Sequence, residues 1–476
     1  MIPLINIPTL VERYAPFFED VFSEEAYEHF KRYLSGLIVS ENKTVEAINR
    51  LFVIDVRNQS SLNRFLTVSP YDEDKLNTHR LSLLQNYAHT RFKPKQGVLG
   101  LDDSLLTHYG KSMDHICIIW DHVEQRFVLA HNLVTLHYSD NQADYPVYCQ
   151  LWLPVDVDKL EAALDEAGVK LKKEKRDDKL KDPAEWRKYL LRRWGDYQYK
   201  KPQLQQVYKS KLLIGRDLLQ QFISRYPDLK LPVAMDSWFA KPDLCRIIDK
   251  ESGLAYVGNV KATEQVVHAG YELQTLEAFN KQLKKEHSAQ VQKGIAPKKR
   301  VFQKTVIKYK GKEEVYYTYC KNHRIKNYGK QRLLISYNRK DLSGKVRFFI
   351  CNRLHWQATK LVHTSRHRWP VEVFFKEGKA EGLDKYQLRD FQAIHRHIAF
   401  VAVVYSILQI ARKDITLRKQ LQCQIEESLD GSIAYWRRMT QAQVFTKLVE
   451  WIFHEVKREQ SLEQVLEPLL KTIAYS

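Results

Sequence analysis

Residues 97–106, GVLGLDDSLL, form a short apolar run that contains two adjacent acids, Asp102 and Asp103. Two further runs of strand length follow, HICIIWDHVEQ (115–125) and RFVLAHNLVTLHY (126–138). Each is rich in β-branched and apolar residues, and the connections between them are tight, which predicts three consecutive β-strands. The acid pair then lies on the first strand of a sheet.

The pattern continues as an α/β alternation beyond these strands. Residues 155–230 have a helical pattern, and LPVAMDSWF (231–239) is a short apolar strand that ends at Asp236. A helical piece and another strand, GLAYVGNVKA (253–262), come next. Strands that alternate with helices predict a sheet with helices packed on it.

Two regions interrupt or flank this α/β part. Residues 266–334 contain a polar helical stretch, a basic loop and a hairpin that turns near Lys310-Gly311-Lys312, which predicts a β-rich insertion. The N-terminal residues repeat apolar side chains at intervals of three and four, with Ser23 and Asn42 as possible helix caps. The predicted parts are a helical, DNA-binding N-terminal region (1–92), an α/β catalytic domain in two pieces (93–265 and 335–390), the inserted β-rich subdomain (266–334) and a helical C-terminal region (391–476).

The charge of the chain favours a polyanionic partner. Its 476 residues include 76 Lys plus Arg against 57 Asp plus Glu, a formal net charge of +19. Neutralising phosphates releases counterions, so such an excess suits nucleic acid, although an inert basic surface is the alternative. The segment from 170 to 201 mixes many cations with aromatic residues that could stack on bases or belong to a solvated helix: Trp186, Tyr189, Trp194, Tyr197 and Tyr199.

Several classes of protein are disfavoured. The six cysteines include no C-x-x-C pair, so neither a zinc ribbon nor a disulfide framework is indicated. No run of about 18 uninterrupted apolar residues and no signal-peptide pattern occurs, so we expect a soluble intracellular protein with no membrane partner. Gly110-Lys111-Ser112 lacks the glycine that a P-loop needs at Leu105. His363 and His367 have helical metal-pair spacing but no third ligand nearby, so polar contact with DNA or solvent is expected instead.

Three acidic positions could do chemistry: the Asp102-Asp103 pair, Asp236 and Glu372. Each ends a strand or lies beside apolar core, where a carboxylate is costly unless it is paired or binds a cation. Three converging carboxylates could hold two Mg²⁺ ions, which activate an attacking oxygen and stabilise a leaving oxygen in phosphoryl transfer. Taken singly, each acid could equally be a helix cap or a salt-bridged surface group.

Glu372 belongs to SRHRWPVEVFFKEGKAEGL (365–383), which predicts a helix that begins near Pro370. Glu372 and Lys379 are two turns apart and share one face with Lys376. Arg368 lies at the helix entry, where it could grip a phosphate with both ends of its guanidinium. The opposite, apolar face should anchor the helix to the sheet, and nearby Trp369 is also expected in the core: Val371, Phe374 and Phe375.

These residues resemble a known family. Arg368, Glu372 and Lys379 fit the Tyr-x2-Arg-x3-Glu-x6-Lys signature around the third acid of one group of bacterial insertion-sequence transposases of the DDE type. RWPVEVFFKEGKAEGLDKYQLRD (368–390) is similar to that family well beyond the signature, whereas Ser365 occupies the position of its tyrosine. GLDDSLL and VAMDSWF are similar to the strands that carry the family's first and second acids.

The resemblance implies an RNase H-like mixed sheet with helices, interrupted by the β-rich insertion. It implies that Asp102, Asp236 and Glu372 are the catalytic residues and bind Mg²⁺, for which Mn²⁺ may substitute, with Asp103 as the alternative to Asp102. It further implies DNA contacts by the following residues: Ser365, Arg368, Lys376, Lys379 and Arg389.

The function that follows from the resemblance is cut-and-paste DNA transposition. The protein would cleave at element ends and transfer the strands into target DNA, as a homodimer on double-stranded DNA in a prokaryotic cytoplasm, associated with the nucleoid. Two alternatives stay open. One is a domesticated, non-catalytic DNA-binding protein derived from a transposase, and the other is a metal-dependent nuclease without strand transfer.

Overall fold

A mixed sheet of twelve strands forms the centre of the computed structural model, which describes residues 2–172, 182–421 and 432–470. Cys423 and residues 173–181 of the basic aromatic segment lie outside these ranges. The strands are β1 (Val98–Thr107), β2 (Cys117–Asp121), β3 (Arg126–Ser139), β4 (Asp144–Trp152), β5 (Val233–Met235), β6 (Tyr256–Val260), β7 (Gln265–Val267), β8 (Leu273–Thr275), β9 (Gln303–Tyr309), β10 (Lys312–Ile325), β11 (Gly329–Tyr337) and β12 (Arg347–Cys351).

The first six strands form the RNase H-like half of this sheet. β1 pairs antiparallel with β3, whose other edge carries β2 and β4, and β1 pairs parallel with β5, which pairs parallel with β6. β5 (VAM) is buried on both faces, as expected of a central parallel strand. The mixed α/β sheet predicted from the sequence is therefore confirmed.

Strand β4 is the part of this half that the periodicity did not predict. It begins at the buried Asp144 and contains Pro146, and both residue types are depleted in strands. The register with β3 shifts between Leu136 and His137, opposite this proline. Because proline has no N–H to donate, such an irregularity accommodates it within the ladder.

The predicted β-rich insertion extends the same sheet. Beyond β6 the strand order continues β12, β11, β10, β7, β8, and β9 pairs with β10. The hairpin turns at Lys310 and Gly311, where it was predicted. Residue 334, the predicted end of the insertion, falls inside β11, and β12 returns the chain to the edge of β6.

The helices cover both faces of the RNase H-like half. They are α1 (Thr9–Tyr14), the 3₁₀ helix Ala15–Val21, α2 (Glu24–Val39), α3 (Val45–Arg50), α4 (Gln59–Thr67), α5 (Glu73–Gln85), α6 (Val157–Glu166), α7 (Pro183–Tyr197), α8 (Leu204–Val207), α9 (Lys211–Arg225), α10 (Pro242–Lys250), α11 (Leu276–Gln292), α12 (Ala358–Arg366), α13 (Trp369–Ala380), α14 (Phe391–Ala411), α15 (Ile415–Leu421), α16 (Ile433–Lys457) and α17 (Leu462–Leu470).

Helix packing divides the sheet into two sides. α9 packs on β3 and β4 from one side, and α13 packs on β1, β3 and β4 from the other. α14 packs on β4 beside α13, and the N-terminal helices α2, α4 and α5 pack against α14. Ser23 caps α2 as predicted, whereas the predicted cap Asn42 was wrong, because Thr44 caps α3.

α14 is the core helix of the α-helical layer. Within the described ranges it is the one helix long and apolar enough to cross a membrane, and 89% of its apolar window is buried inside the protein. The five cysteines that the structure describes are free thiols, in agreement with their spacing.

The described part of the basic aromatic segment belongs to a small helical unit with its own core. Trp186 and Trp194 of α7 are buried against α6, and their indole N–H groups donate to Glu161 and to the backbone of Leu204, both at 3.1 Å. The prediction that these tryptophans could stack on bases was therefore wrong. Tyr199 is exposed, as are several cations of the segment.

A buried arginine ties the N-terminal helices to the sheet. Arg80 of α5 is 2% exposed and donates to Asn77, to the carbonyls of Pro146 and Val147 in β4, and to Ser406 in α14, at 2.6 to 3.0 Å. Burial without a carboxylate partner lowers the pKa of Arg80 to about 10. The guanidinium of Arg80 thus connects α5, β4 and α14.

Replacing this arginine should destabilise the whole protein. Arg80→Met removes the guanidinium donors of two buried β4 carbonyls, of which that of Val147 keeps a 3.3 Å hydrogen bond from Asn77, so we expect a loss of about 3 kcal/mol in the free energy of unfolding. Thermal unfolding followed by circular dichroism measures the change. Arg126→Met is the control, because its side chain is 65% exposed. An equal shift for both variants would contradict the role of Arg80.

Candidate active site

Strand alternation separates the two acids of β1. Neighbouring strand residues point to opposite faces of a sheet. Asp103 lies on the side of α9, where its carboxylate accepts from Lys211 at 3.0 Å and from Asn132 at 2.6 Å. Asp102 lies on the side of α13, where Arg368 donates to it at 2.5 Å. Asp102 is therefore the acid that shares a face with the helix of Glu372.

The second acid follows the neighbouring parallel strand. Leu101 of β1 is in register with Met235 of β5, so the next residues, Asp102 and Asp236, are neighbours across the two strands. Asp236 also accepts from the backbone N–H groups of Trp238 at 2.9 Å and Phe239 at 3.0 Å. This local turn holds the carboxylate at the strand end.

The third acid is in the first turn of α13. Pro370 occupies the start of this helix, where its missing N–H costs nothing. Arg368, directly before the helix, bridges two acids: one guanidinium nitrogen donates to Asp102 and another makes a close contact with Glu372. The predicted apolar face is buried, which fixes the helix against the sheet: Val371, Phe374 and Phe375.

The site carries surplus negative charge. Burial raises the pKa of Asp102 to about 7, with Asp236 and Asp103 adding to the effect and Arg368 opposing it. Burial also raises the pKa of Asp236, against its backbone hydrogen bonds and Arg368. Burial alone would lower the pKa of Arg368, but Asp102 and Glu372 outweigh it and raise that pKa. A further cation would relieve this repulsion.

The donor set suits a hard divalent cation. Asp102, Asp236 and Glu372 offer carboxylate oxygens, the ligands that Mg²⁺ and Mn²⁺ prefer. The raised pKa values of Asp102 and Asp236 mark a place where positive charge is favoured. In the described part of the chain no three His, Cys, Asp or Glu side chains are already gathered as a metal site, and Arg368 pairs with both Asp102 and Glu372. Arg368 and a cation would compete for the same two carboxylates.

The predicted DNA-binding residues separate into three places. Lys376 is exposed on α13, and Lys379 donates to the carbonyl of Leu105 at 2.8 Å. Ser365 lies at the groove described next, with its hydroxyl bonded to the carbonyl of Val362. Arg389 is exposed at separate cavities beyond the end of β1.

A groove of about 1020 Å³ runs past Arg368 and Glu372, between α12 and α13 and the extended sheet. Trp369 lines it and is 50% exposed, so its predicted place in the core was wrong. Four further cations of the groove were not predicted: Lys261, Lys345, Arg347 and Arg366. The first three come together because the pairing of β12 with β6 brings residues 88 to 94 positions apart side by side, which no local pattern reveals.

The histidine pair has a structural role. His363 and His367 approach to 3.3 Å between their Nε2 atoms, and His367 is fully buried with its Nδ1 2.8 Å from the hydroxyl of Ser139. The expected contact of His367 with DNA or solvent was therefore wrong. Burial lowers the pKa of His367 to about 3, which keeps the ring neutral.

Comparisons with known proteins identify the family of this chain. A search of curated proteins found no match. Among solved structures, a piggyBac transposase synaptic complex with hairpin DNA, determined by cryo-EM, is similar, with a TM-score of 0.40 and 8% sequence identity over 90% of this chain and 73% of that one. The family described as "Transposase DDE domain" matches residues 206–407, and the family described as "DDE superfamily endonuclease" matches residues 16–281, more than half of the chain. The protein therefore belongs to the DDE superfamily of endonucleases.

Proposed function

We propose that this protein is a DNA transposase that cleaves DNA at the ends of a mobile element and transfers the freed strands into target DNA. One observation carries the proposal. Arg368 pairs with Asp102 and Glu372, and Asp236 directly follows the strand next to that of Asp102, beside a groove lined with cations. Metal-dependent phosphoryl transfer on DNA needs carboxylates that can share metal ions and cations that bind phosphate.

Asp102, Asp236 and Glu372 would hold Mg²⁺, or Mn²⁺ in its place. When bound, such ions activate the attacking oxygen and stabilise the leaving oxygen of an in-line displacement. The geometry favours Asp102 over Asp103, because Asp103 is already bonded to Lys211 and Asn132 on the other side of the sheet.

The cations near the acids bind and orient the DNA backbone in this proposal. Arg368 has a planar guanidinium that can hold two phosphate oxygens. Its ion pairs with Asp102 and Glu372 keep this guanidinium beside the candidate metal ligands. Lys379, two helical turns beyond Glu372, is suited to the next phosphate. Ser365 can donate a hydrogen bond to phosphate but has no ring to stack on a base.

The cleavage assay tests this function directly. The protein is incubated with Mg²⁺ and DNA that carries the sequences flanking its coding region, and products are resolved by electrophoresis. Transposition predicts both cleaved ends and joined products. Cleavage without joining would indicate the nuclease, and binding without cleavage would indicate the domesticated DNA-binding protein. Asp102→Asn, Asp236→Asn and Glu372→Gln should each lower cleavage at least about 100-fold, since each removes a charged metal ligand.

Asp103→Asn is the matched control for the site assignment. It changes the same charge one residue away, on the opposite face, and should keep cleavage within about tenfold of the unchanged protein. If Asp103→Asn abolished cleavage while Asp102→Asn did not, the assignment of the first acid would be wrong.

Arg368 should have opposite effects on cation binding and on cleavage. Arg368→Gln removes the competitor for Asp102 and Glu372, so Mn²⁺ affinity should rise about tenfold, whereas cleavage should fall because the phosphate loses its bidentate partner. Electron paramagnetic resonance of free Mn²⁺ measures the affinity. Lys376→Gln removes a charge from the same helix without touching the acids, and its Mn²⁺ affinity should stay unchanged. Weaker Mn²⁺ binding by Arg368→Gln would contradict the competition.

The C-terminal helices support assembly as a homodimer on DNA. One face of α16 exposes four large apolar side chains at helical spacing, and the following helix α17 exposes three more. A two-fold dimer can bury such a stripe against its own copy. The residues are 37 to 72% exposed: Phe445, Val449, Phe453, Val456, Leu462, Leu466 and Leu470.

A charge within this stripe should prevent dimerisation. Phe453→Glu is expected to convert a dimer to a monomer, measured by light scattering after size exclusion, since a buried unpaired carboxylate is costly. His454→Glu places the same charge on an exposed position of α16 about 100° around the helix from Phe453, away from the stripe, and should leave the dimer intact. A monomeric unchanged protein, with and without DNA, would refute the dimer.

A further inference from the structure

The tip of the hairpin of β9 and β10, residues 309–314, reaches back across the fold to the strands of the RNase H-like half. Its turn passes through Lys310 and Gly311, which have positive φ of 45° and 84°. Asparagine or glycine adopts this conformation most readily, and lysine does so at a conformational cost. Contacts of the lysine side chain must therefore offset this conformational cost.

Lys310 makes contacts far away in the sequence. Its backbone N–H donates to the side chain of Asn141 at 3.1 Å, and its ammonium donates to Asp144 at 2.9 Å. Asp144, at the start of β4, is only 3% exposed. Burial alone would raise the pKa of Asp144, but Lys310 and His137 outweigh it and lower that pKa. The hairpin tip thus supplies positive charge to a buried carboxylate of the neighbouring half.

Asp144 connects this contact to the helix of the third acid. The hydroxyl of Tyr405 in α14 lies 3.1 Å from Asp144 and 3.1 Å from Glu377 of α13. Glu377 is five residues after Glu372, about 140° around the helix, so it marks the back of α13. A chain of polar contacts therefore runs from Lys310 to the helix that presents Glu372.

A second set of contacts reaches the residues directly before Arg368. Glu314 accepts from two guanidinium nitrogens of Arg366, at 3.0 and 3.1 Å. The ring of Tyr309 lies 4.5 Å from that guanidinium and 4.9 Å from the ring of His367. His367 is in turn bonded to Ser139 at the end of β3. The hairpin tip therefore holds the α12–α13 junction as well as the back of α13.

We infer that the hairpin tip is a clamp that positions Arg368 and Glu372 against Asp102 and Asp236 on the sheet. Lys310 and Glu314 are its positioning residues, since they bind Asp144 and Arg366 and not the acids of the site. The inference rests on the proposed function, in which those acids carry out phosphoryl transfer. Displacing a reacting group by about 1 Å can cost about 100-fold in rate, so a clamp of this kind acts on turnover.

Steady-state cleavage kinetics of the full chain test the clamp. Lys310→Met and Glu314→Gln should lower kcat about 10-fold to 100-fold and leave KM for DNA within about twofold, because the cations that bind the phosphates, among them Arg368, Lys261 and Arg347, are unchanged. Lys312→Met and Glu313→Gln are matched controls, with the same charge changes on exposed residues of the same hairpin, and should behave as the unchanged protein. Lys310→Arg, which keeps the charge, should recover most of kcat. A fall confined to KM, or an unchanged kcat, overturns the inference.

Hydrogen exchange separates the clamp from the proposed function, because it needs no cleavage. Backbone amides of residues 366–377 should exchange about tenfold faster in Lys310→Met and Glu314→Gln than in their controls, while those of β1 keep their rate. If these rates do not change, the clamp is refuted whether or not the protein cleaves DNA. If the two variants exchange faster than their controls but the unchanged protein cleaves no DNA, the proposed function is wrong and the clamp is supported.

Two further comparisons show whether a lower kcat results from loss of folding. Glu314→Gln breaks an ion pair that is a quarter exposed, so the chain should remain folded. Lys310→Met leaves the buried carboxylate of Asp144 without its cation. The double variant Lys310→Met with Asp144→Asn removes this unpaired charge and should recover thermal stability without recovering kcat. If stability and kcat recover together, the role of Lys310 is only structural and the inference is overturned.

Discussion

A buried carboxylate requires a positive partner, and this requirement connects the distant parts of the molecule. Arg368, directly before α13, bridges Asp102 on the sheet and Glu372 on the helix. Lys211 of α9 pairs with Asp103 on the opposite face, and Lys310 of the insertion pairs with Asp144. In each case the cation comes from a segment far away in the sequence. Charge neutralisation thus fixes how the helices and the insertion sit on the sheet.

The β-rich insertion is part of the same sheet as the candidate site. Its strands extend the sheet beyond β6, and the β9–β10 hairpin reaches the turn between β3 and β4. The groove with Lys261, Lys345 and Arg347 lies in the space enclosed between the extended sheet and the helices α12 and α13. One insertion therefore forms a wall of the candidate substrate groove and is also connected, through Asp144 and Tyr405, to the back of the helix that carries Glu372.

The candidate site was largely predictable, and its surroundings were not. Asp102 lies within, Asp236 directly after and Glu372 near the start of an element whose periodicity is visible in the sequence, so their positions on strands and a helix could be derived. The pairing of Arg368 with Asp102 could not, because it joins positions 266 residues apart. The same holds for Trp369, which lines a groove that exists only after β12 has paired with β6, and for Trp186 and Trp194, whose core is assembled from α6, α7 and α8.

The amino-acid sequence by itself determined the α/β class, the three candidate acids, the helical face shared by Glu372, Lys376 and Lys379, and the hairpin turn at Lys310. These depend on local periodicity, turn chemistry and spacing, which act over a few residues. Only the tertiary structure decided that Asp102, and not Asp103, lies on the face of the sheet that α13 covers, because a strand offers both faces equally until helices pack on them. It also decided which cation neutralises which acid, since electrostatic pairing depends on distances through space that strand register and helix packing set.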